Sequence, residues 1–91
     1  MPAARLVITG RVQGVGFRAF VERQAHRHAI RGWVRNRRDG AVEALLIGDA
    51  RALSDMEAAC RRGPSMAVVT GIERIDAVDD GSDGFESRPT V

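Results

Sequence analysis

The order of strand-like and helix-like segments is the feature of this sequence that most restricts its fold. Residues 3 to 9 are apolar and β-branched, as in a buried strand, and Gly10 ends them. From residue 17 to about residue 28 the pattern is helical, with apolar side chains at spacings of three and four, at Phe17, Phe20, Val21 and Ala25. The chain therefore begins with a strand followed by a helix.

The next two segments predict a hairpin. Strand-like residues 32 to 37 and 41 to 47 flank the dipeptide Asp39-Gly40, which is suited to positive φ angles. The two strands are therefore antiparallel. The sequence leaves open whether the connection has two residues or more, and this choice decides which face of the sheet Asn36 occupies.

A second helix and one or two further strands complete the chain. Asp49 is the expected N-cap of a helix that continues to about Arg62, and the Gly-Pro pair at 63 and 64 ends it. A fourth strand is predicted at 67 to 77, and residues 85 to 89 can add a short edge strand. The apolar stripe of the second helix, expected in the core, consists of Leu53, Met56 and Cys60.

The resulting order, β-α-β-β-α-β with a possible fifth strand, predicts an α+β fold. It packs as a mainly antiparallel sheet of four to five strands with both helices on one face, the ferredoxin-like βαββαβ sandwich. No repeat or linker divides the sequence, so we expect residues 1 to 91 to form a single domain. One fold hosts many functions, so the fold by itself does not define the activity.

Composition excludes several classes of protein. Hydrophobic residues make up 44% of the chain and charged residues 29%, as in ordinary globular proteins, and no apolar run is long enough for a membrane helix. The first residues lack the pattern of a secretory signal, which favours a cytoplasmic location. The single cysteine, Cys60, excludes an internal disulfide bond and a structural zinc site.

The first part of the chain is suited to binding an anion. All fourteen basic residues are arginine, and residues 1 to 38 contain nine of them against one acid, whereas residues 39 to 91 contain five against eleven acids. The loop at 10 to 18 contains three glycines and leads into a helix, so its backbone N–H groups can form a concave phosphate site. Arg18 adds a guanidinium that can bind two phosphate oxygens.

Other interpretations of this loop remain open at this point. In one alternative, Gly14 and Gly16 only make a tight turn and Arg18 pairs with Glu22 one helical turn further on. A nucleotide-triphosphate loop is excluded because the chain has no lysine. The match of residues 14 to 19 to a dinucleotide motif is accidental, because the next strand belongs to a hairpin.

Two stretches of the sequence resemble the signatures of a known family, the acylphosphatases, small enzymes that hydrolyse the carboxyl-phosphate bond. GRVQGVGFR (10 to 18) resembles the first signature and GWVRNRRDGAVE (32 to 43) the second, and the segments at 63 to 64 and 85 to 90 also fit. The resemblance implies that Asn36 positions the attacking water and that no metal or cofactor is used. It implies a phosphate site made of the Arg18 side chain and the backbone of Gly14, Val15, Gly16, Phe17 and Arg18.

The chemistry of such a substrate suits this small set of groups. An acyl phosphate is an activated mixed anhydride, so positioning and charge stabilisation can suffice without a strong nucleophile. Asn36 can orient water but its neutral amide cannot act as a general base. The family resemblance implies that a phosphate oxygen of the substrate takes the proton, with no covalent intermediate. The expected partners are the acyl phosphate and inorganic phosphate, as product and competitor, bound by a monomer.

Other polar and aromatic residues are expected to have structural roles. His26 and His28 point to different sides of a helix and cannot share a metal. Arg35, Arg37 and Arg38 flank Asn36 and could steer anions, although such arginines usually form a solvated face. Trp33 should cover apolar surface of the sheet. Asp39 is predicted to lie in the turn and Glu43 on the surface of a strand.

Two rival functions compete with this hypothesis. An RNA-binding module has the same element order and a basic half, but Arg18 interrupts the ribonucleoprotein-like stretch GFRAFV, and the third strand has no aromatic platform for bases. We therefore expect no nucleic acid or membrane partner. An accessory domain like that of hydrogenase-maturation carbamoyltransferases would be followed by cysteine-rich fingers, so a free-standing hydrolase is the expectation.

Ala29 departs from the family pattern, which has a glycine where the first helix ends. A left-handed alanine would cost about 1 kcal/mol or more, so the sequence predicts that this helix ends in a different way.

Overall fold

The computed structural model describes residues 1 to 91 and contains five strands and two helices in the predicted order. The sequence prediction of the fold is therefore confirmed, and the optional fifth strand is present. The elements are β1 (Ala3–Arg11), α1 (Phe17–Arg27), β2 (Arg31–Asn36), β3 (Val42–Ile47), α2 (Ala50–Arg62), β4 (Val68–Ala77) and β5 (Phe85–Ser87). Neither helix is long and apolar enough to cross a membrane.

The strands form one sheet in the order β4-β1-β3-β2-β5. All neighbouring pairs are antiparallel except β2 and β5, which are parallel. An irregularity between Thr9 and Gly10 shifts the register of β1 against β4. Gly10 has a φ of +122°, and a Cβ there would lie 2.1 Å from the carbonyl oxygen of Val68, so only glycine fits where β1 leads into the following loop.

The main core lies between the two helices and one face of the sheet, as the amphipathic patterns predict. Each helix contributes a buried stripe, and alternate residues of the central strands meet it because side chains alternate between faces of a strand. The buried helix residues are Phe17, Val21 and Ala25 of α1 and Leu53, Met56, Ala59 and Cys60 of α2. Asp49 caps α2 as predicted, accepting a hydrogen bond from the Ala52 amide at 2.8 Å.

The register of the hairpin places Asn36 on the helix-bearing face of the sheet. Asn36 pairs with Val42, whose side chain is part of the main core, and residues 37 to 41 form the connection. A five-residue connection, closed by a hydrogen bond from the Arg37 amide to the Ala41 carbonyl oxygen at 2.8 Å, therefore replaces a two-residue turn. This arrangement directs Asn36 to the side from which α1 and its preceding loop approach.

The end of α1 differs from its prediction. Ala29 does adopt the left-handed conformation, with a φ of +54°. The Ile30 amide donates to the Ala25 carbonyl oxygen at 2.8 Å, and the Ala29 amide donates to that of His26 at 3.3 Å. These bonds are the Schellman pattern usually completed by glycine. The last carbonyl groups of the helix and the burial of Ile30 hold the alanine in its unfavourable conformation.

The opposite face of the sheet carries a small second core that contains Trp33, which packs with Leu45 and Ile47 as the sequence predicted. The guanidinium carbons of Arg35 and Arg88 lie 4.5 Å and 5.2 Å from the centre of the Trp33 ring, so cations cover this ring.

Glu43 also lies on this second face, and its prediction as a strand-surface residue was wrong. Only 3% of Glu43 is exposed. Its carboxylate accepts hydrogen bonds from Arg5 at 3.1 Å and from Arg35 at 2.8 Å, which compensate for its burial. The long arginine side chains on neighbouring strands bury the carboxylate, and such cross-strand packing cannot be seen in a single segment of sequence.

Candidate active site

The loop between β1 and α1 lines a cavity of about 200 Å³ together with the end of β2. Gly14 and Gly16 both have positive φ, +72° and +80°, and a Cβ on either would meet no atom within 4 Å. Glycine is therefore required at these two positions by the backbone angles and not by steric crowding. The cavity is lined by Val12, Gln13, Gly14, Gly16, Phe17, Arg18, Ala19 and Asn36.

The first turn of α1 faces this cavity with its hydrogen-bond donors free. Gly16 is the N-cap residue but has no side chain to accept from the helix, and the first turn contains no acidic residue. The amides of Gly14, Val15 and Gly16 donate to no other group of the protein. Free N–H groups and the positive end of the helix dipole together attract an anion.

Arg18 is exposed and lies in the first turn of α1, on the edge of the cavity. Its side chain forms no hydrogen bond or ion pair, and in particular none with Glu22. The alternative in which Arg18 serves only to pair with Glu22 is therefore not observed. Its guanidinium is free to bind an anion in the cavity, with up to two oxygens held in parallel.

Asn36 is half-buried at the end of β2 and lines the same cavity as Arg18. Its backbone carbonyl oxygen accepts from the Val91 amide at 3.2 Å, whereas its side chain has no partner within the protein. The carboxamide therefore keeps both its donor and its acceptor available for a ligand.

Of the residues predicted for the phosphate site, the structure brings all but one into the lining of the cavity. Val15 is the exception, and its side chain packs partly buried against the main core. Phe17 is buried and anchors the start of α1: a Cβ at Gly63 would lie only 2.8 Å from the Phe17 ring, so the end of α2 packs closely on it. The second helix thus supports the loop from behind.

Sequence reasoning missed three lining residues of the cavity, Val12, Gln13 and Ala19, and only Gln13 among them has a polar side chain. Its side-chain nitrogen donates to the carbonyl oxygens of Arg37 at 2.7 Å and Ala41 at 2.9 Å, and so joins the β1–α1 loop to the hairpin connection. The only signal in the sequence is a polar residue between the buried Val12 and the turn-forming Gly14, and this signal does not reveal the partners.

The other candidate residues lie apart from the cavity or are engaged elsewhere. Arg35 binds Glu43 on the opposite face, and Arg37 pairs with Asp39 at 2.9 Å, so both are neutralised by acids. Arg38 is exposed and outside the lining residues, and Asp39 is the exposed turn residue that was predicted.

The histidines and the cysteine also lie outside the cavity. His26 is exposed and His28 half-buried at the end of α1, and no three potential metal-ligating side chains cluster anywhere in the chain. Cys60 lies in the main core as predicted, and burial raises the pKa of its thiol to about 12, so it is protonated and unreactive at neutral pH.

The fold is that of a known class of small α+β hydrolases. The family model described as Acylphosphatase matches residues 4–87. An acylphosphatase of Acidiphilium cryptum is 50% identical over 99% of this chain and 99% of its own. One from Rhodopseudomonas palustris is 50% identical over 96% of this chain and 94% of its own.

Structural comparison gives the same result. The crystal structure of acylphosphatase from Bacillus subtilis superposes with a TM-score of 0.94 and 38% identity, covering 97% of this chain and 99% of that chain. The chain therefore belongs to the acylphosphatase family.

Proposed function

We propose that this protein hydrolyses the carboxyl-phosphate bond of acyl phosphates, giving a carboxylate and inorganic phosphate. The observation that carries the proposal is the convergence of three unpartnered groups on one cavity: the Arg18 guanidinium, the free amides of the Gly14 to Gly16 loop and the Asn36 carboxamide. Membership of the acylphosphatase family supports the same reaction.

The phosphoryl group binds at the loop. The amides of Gly14, Val15, Gly16, Phe17 and Arg18 and the Arg18 side chain surround its oxygens, where positive charge from the helix dipole is concentrated. These donors are fixed by the backbone before the substrate arrives, so little reorganisation is needed as charge redistributes in the transition state. The acyl group extends toward solvent, because the cavity of about 200 Å³ accommodates little more than the phosphate end.

Water held by Asn36 attacks phosphorus directly. The new bond forms between the water oxygen and phosphorus while the bond from phosphorus to the acyl oxygen breaks, and the leaving group departs as a carboxylate. A phosphate oxygen of the substrate takes the proton, since the cavity contains no histidine or carboxylate. No covalent intermediate, metal or cofactor takes part in this scheme, and Arg18 supplies the positive charge.

The partners follow from this mechanism. Inorganic phosphate occupies the same loop as product and acts as a competitive inhibitor, and the protein works as a single-domain monomer on small acyl phosphates. Recognition through the phosphate end predicts tolerance of different acyl groups.

The proposal is tested by the hydrolysis of benzoyl phosphate, with inorganic phosphate as the competitor. Arg18→Ala should reduce kcat/KM about a hundredfold to a thousandfold, because one preorganised donor to the phosphoryl group is lost. Arg23→Ala is the matched control, since Arg23 is also exposed on α1 but lies outside the cavity. Tight binding of RNA without turnover, or equal effects of the two variants, would refute the proposal.

Asn36→Ala distinguishes the binding of the phosphoryl group from the positioning of the attacking water. We expect kcat to fall while inhibition by inorganic phosphate stays unchanged, because the phosphate is held by the loop and Arg18. A comparable loss of phosphate affinity in Asn36→Ala would contradict the assignment of Asn36 to the water, and circular dichroism checks that each variant is folded.

A further inference from the structure

Gln13 connects the β1–α1 loop to the hairpin connection through its side-chain nitrogen atom. Both hydrogens of its carboxamide are used: one bond of 2.7 Å goes to the Arg37 carbonyl oxygen and one of 2.9 Å to that of Ala41. Gln13 immediately precedes Gly14 of the phosphate loop, and Arg37 immediately follows Asn36. The phosphate loop and the water-binding residue are therefore linked through a single side chain.

The geometry of these bonds fixes the orientation of the carboxamide. Two carbonyl oxygens can only accept hydrogen bonds, so the nitrogen of Gln13 must face them and its oxygen must point away. The Gln13 oxygen has no partner in the protein, and no buried polar side-chain atom in the chain lacks a partner, so this oxygen is reached by solvent. The side chain thus has one defined arrangement.

The hairpin connection has few other ties to the loop that precedes α1. Residues 37 to 41 are closed within themselves by the Arg37 amide to Ala41 oxygen bond, at 2.8 Å, and by the Gly40 amide to Arg37 oxygen bond, at 3.1 Å. The two oxygens that accept from Gln13 are the same two that close this connection. Gln13 therefore holds the two carbonyl groups that define the shape of the connection, which follows directly on Asn36 at the end of β2. Val91 holds the same region from another side, because the Arg38 amide donates to its carbonyl oxygen at 2.9 Å and its own amide donates to that of Asn36 at 3.2 Å.

We propose that Gln13 is a positioning residue, which sets the distance between the phosphoryl group and the water held by Asn36. This inference rests on the proposed function. Because the rate of an in-line attack depends steeply on the separation and alignment of the reacting atoms, a displacement of about 1 Å can reduce the rate about a hundredfold. The role requires no contact of Gln13 with the substrate.

The test is a double-mutant cycle between Gln13→Met and Asn36→Ala. Methionine has nearly the length of glutamine but cannot donate to the two carbonyl oxygens. In the wild-type background we expect Gln13→Met to reduce kcat for benzoyl phosphate about ten- to a hundredfold and to leave inhibition by inorganic phosphate unchanged. In the Asn36→Ala background the same substitution should have no further effect on kcat.

Gln24→Met provides the matched control, because Gln24 is the other glutamine of the chain and its half-buried side chain lies on α1 outside the cavity. It should leave kcat unchanged. Gln13→Glu is a second variant that keeps the size of the side chain and places an oxygen against the two carbonyl groups, and it should match or exceed the loss in Gln13→Met. Unfolding in urea shows which variants remain folded.

The outcomes separate the two proposals. If the wild type turns over benzoyl phosphate, and the reduction of kcat in the double variant equals the product of the reductions in Gln13→Met and Asn36→Ala, the positioning role is overturned. The proposed function then remains intact. A loss of phosphate affinity as large as the loss of kcat would also overturn the positioning role, because Gln13 would then act on the phosphate loop. Absence of benzoyl phosphate turnover in the wild type would overturn the proposed function and this inference with it.

Discussion

The carboxylate of Glu43 lies 2.8 Å from the Nε atom of Arg35 on the neighbouring strand, on the face of the sheet opposite the two helices. Arg5 reaches the other carboxylate oxygen at 3.1 Å from the strand on the other side. Glu43 therefore bridges two arginines at the middle of the sheet. Arg35 in turn covers the Trp33 ring, so the ion pairs and the second core form one structural unit.

Removal of the Glu43 carboxylate should destabilise the protein. We expect Glu43→Ala to lower the free energy of unfolding by about 2 kcal/mol, because it leaves two arginines without their acid; partial exposure of those arginines keeps the loss below that of a fully buried pair. Glu86→Ala, which removes the exposed partner of Arg88, should change stability by less than about 0.5 kcal/mol. Urea denaturation measures both, and equal losses would contradict the importance of burial.

The left-handed alanine at the end of α1 predicts a stabilising substitution. Ala29→Gly should raise the free energy of unfolding by about 1 kcal/mol, because glycine adopts a φ of +54° without the steric cost that alanine bears. Ala58→Gly, at an exposed position inside α2, is the control and should lower stability by about 1 kcal/mol. If Ala29→Gly were neutral or destabilising in urea unfolding, the conformation assigned to Ala29 would be incorrect.

Gly16→Ala tests the loop that is proposed to bind phosphate, and Gly81, a glycine of the same conformation, provides the control. Gly16 and Gly81 have φ values of +80° and +81°, and a methyl group added to either would meet no atom within 4 Å, so each alanine should cost about 1 kcal/mol of stability through backbone strain. Only Gly16 lines the cavity, so only Gly16→Ala should also weaken inhibition by inorganic phosphate, by about tenfold. Equal phosphate affinity in the two variants would argue against anion binding by this loop.

Acid should destabilise the protein partly through Glu57. A hydrogen bond from Arg74, followed by one from Arg61, lowers the pKa of the Glu57 carboxyl below its usual range. The unfolded state therefore binds more protons, and the stabilisation from Glu57 is present above about pH 4.3 and is lost as the pH falls through the lowered native pKa. The free energy of unfolding in urea is measured between about pH 6 and about pH 3, on either side of this value. It should fall less steeply with decreasing pH in Glu57→Gln than in the wild type.

The decline should not vanish in Glu57→Gln. Asp79 has a pKa lowered chiefly by a hydrogen bond from Arg31, and the pKa of Asp80 is lowered chiefly by Ser82, so both continue to favour the native state above acid pH. Arg74→Gln, which removes the main hydrogen-bond donor to Glu57, should make the decline shallower in the same way. An identical slope in Glu57→Gln and wild type would show that the Arg74 pair contributes nothing.

The local parts of the site were predictable because they depend on residues close together in the chain. Gly14, Gly16 and Arg18 lie within five positions at the junction of a strand and a helix, and the free backbone amides of such a junction favour an anion. Asn36 was named from the resemblance of its segment to a family signature. Its face of the sheet was not predictable, because only the register with Val42 and the five-residue connection define it.

Two of the residues that sequence reasoning misjudged or missed depend on partners distant in sequence. Glu43 is buried by Arg5, which is 38 positions away, and Gln13 donates to carbonyl oxygens 24 and 28 positions away. Ala29 takes the left-handed conformation because the bond from Ile30 to Ala25 and the burial of Ile30 outweigh its local preference. In each case a tertiary contact determines what the residue does.

By itself, the sequence determined the element order, the core stripes of both helices and the glycine-rich loop for which phosphate binding is proposed, because hydrophobic period, turn chemistry and backbone freedom are local properties. Only the tertiary structure decided that Arg18 and Asn36 line the same cavity, that Gln13 links them and that Glu43 is buried. The physical reason is that strand register and loop docking set distances between segments, and these distances result from packing of the whole chain.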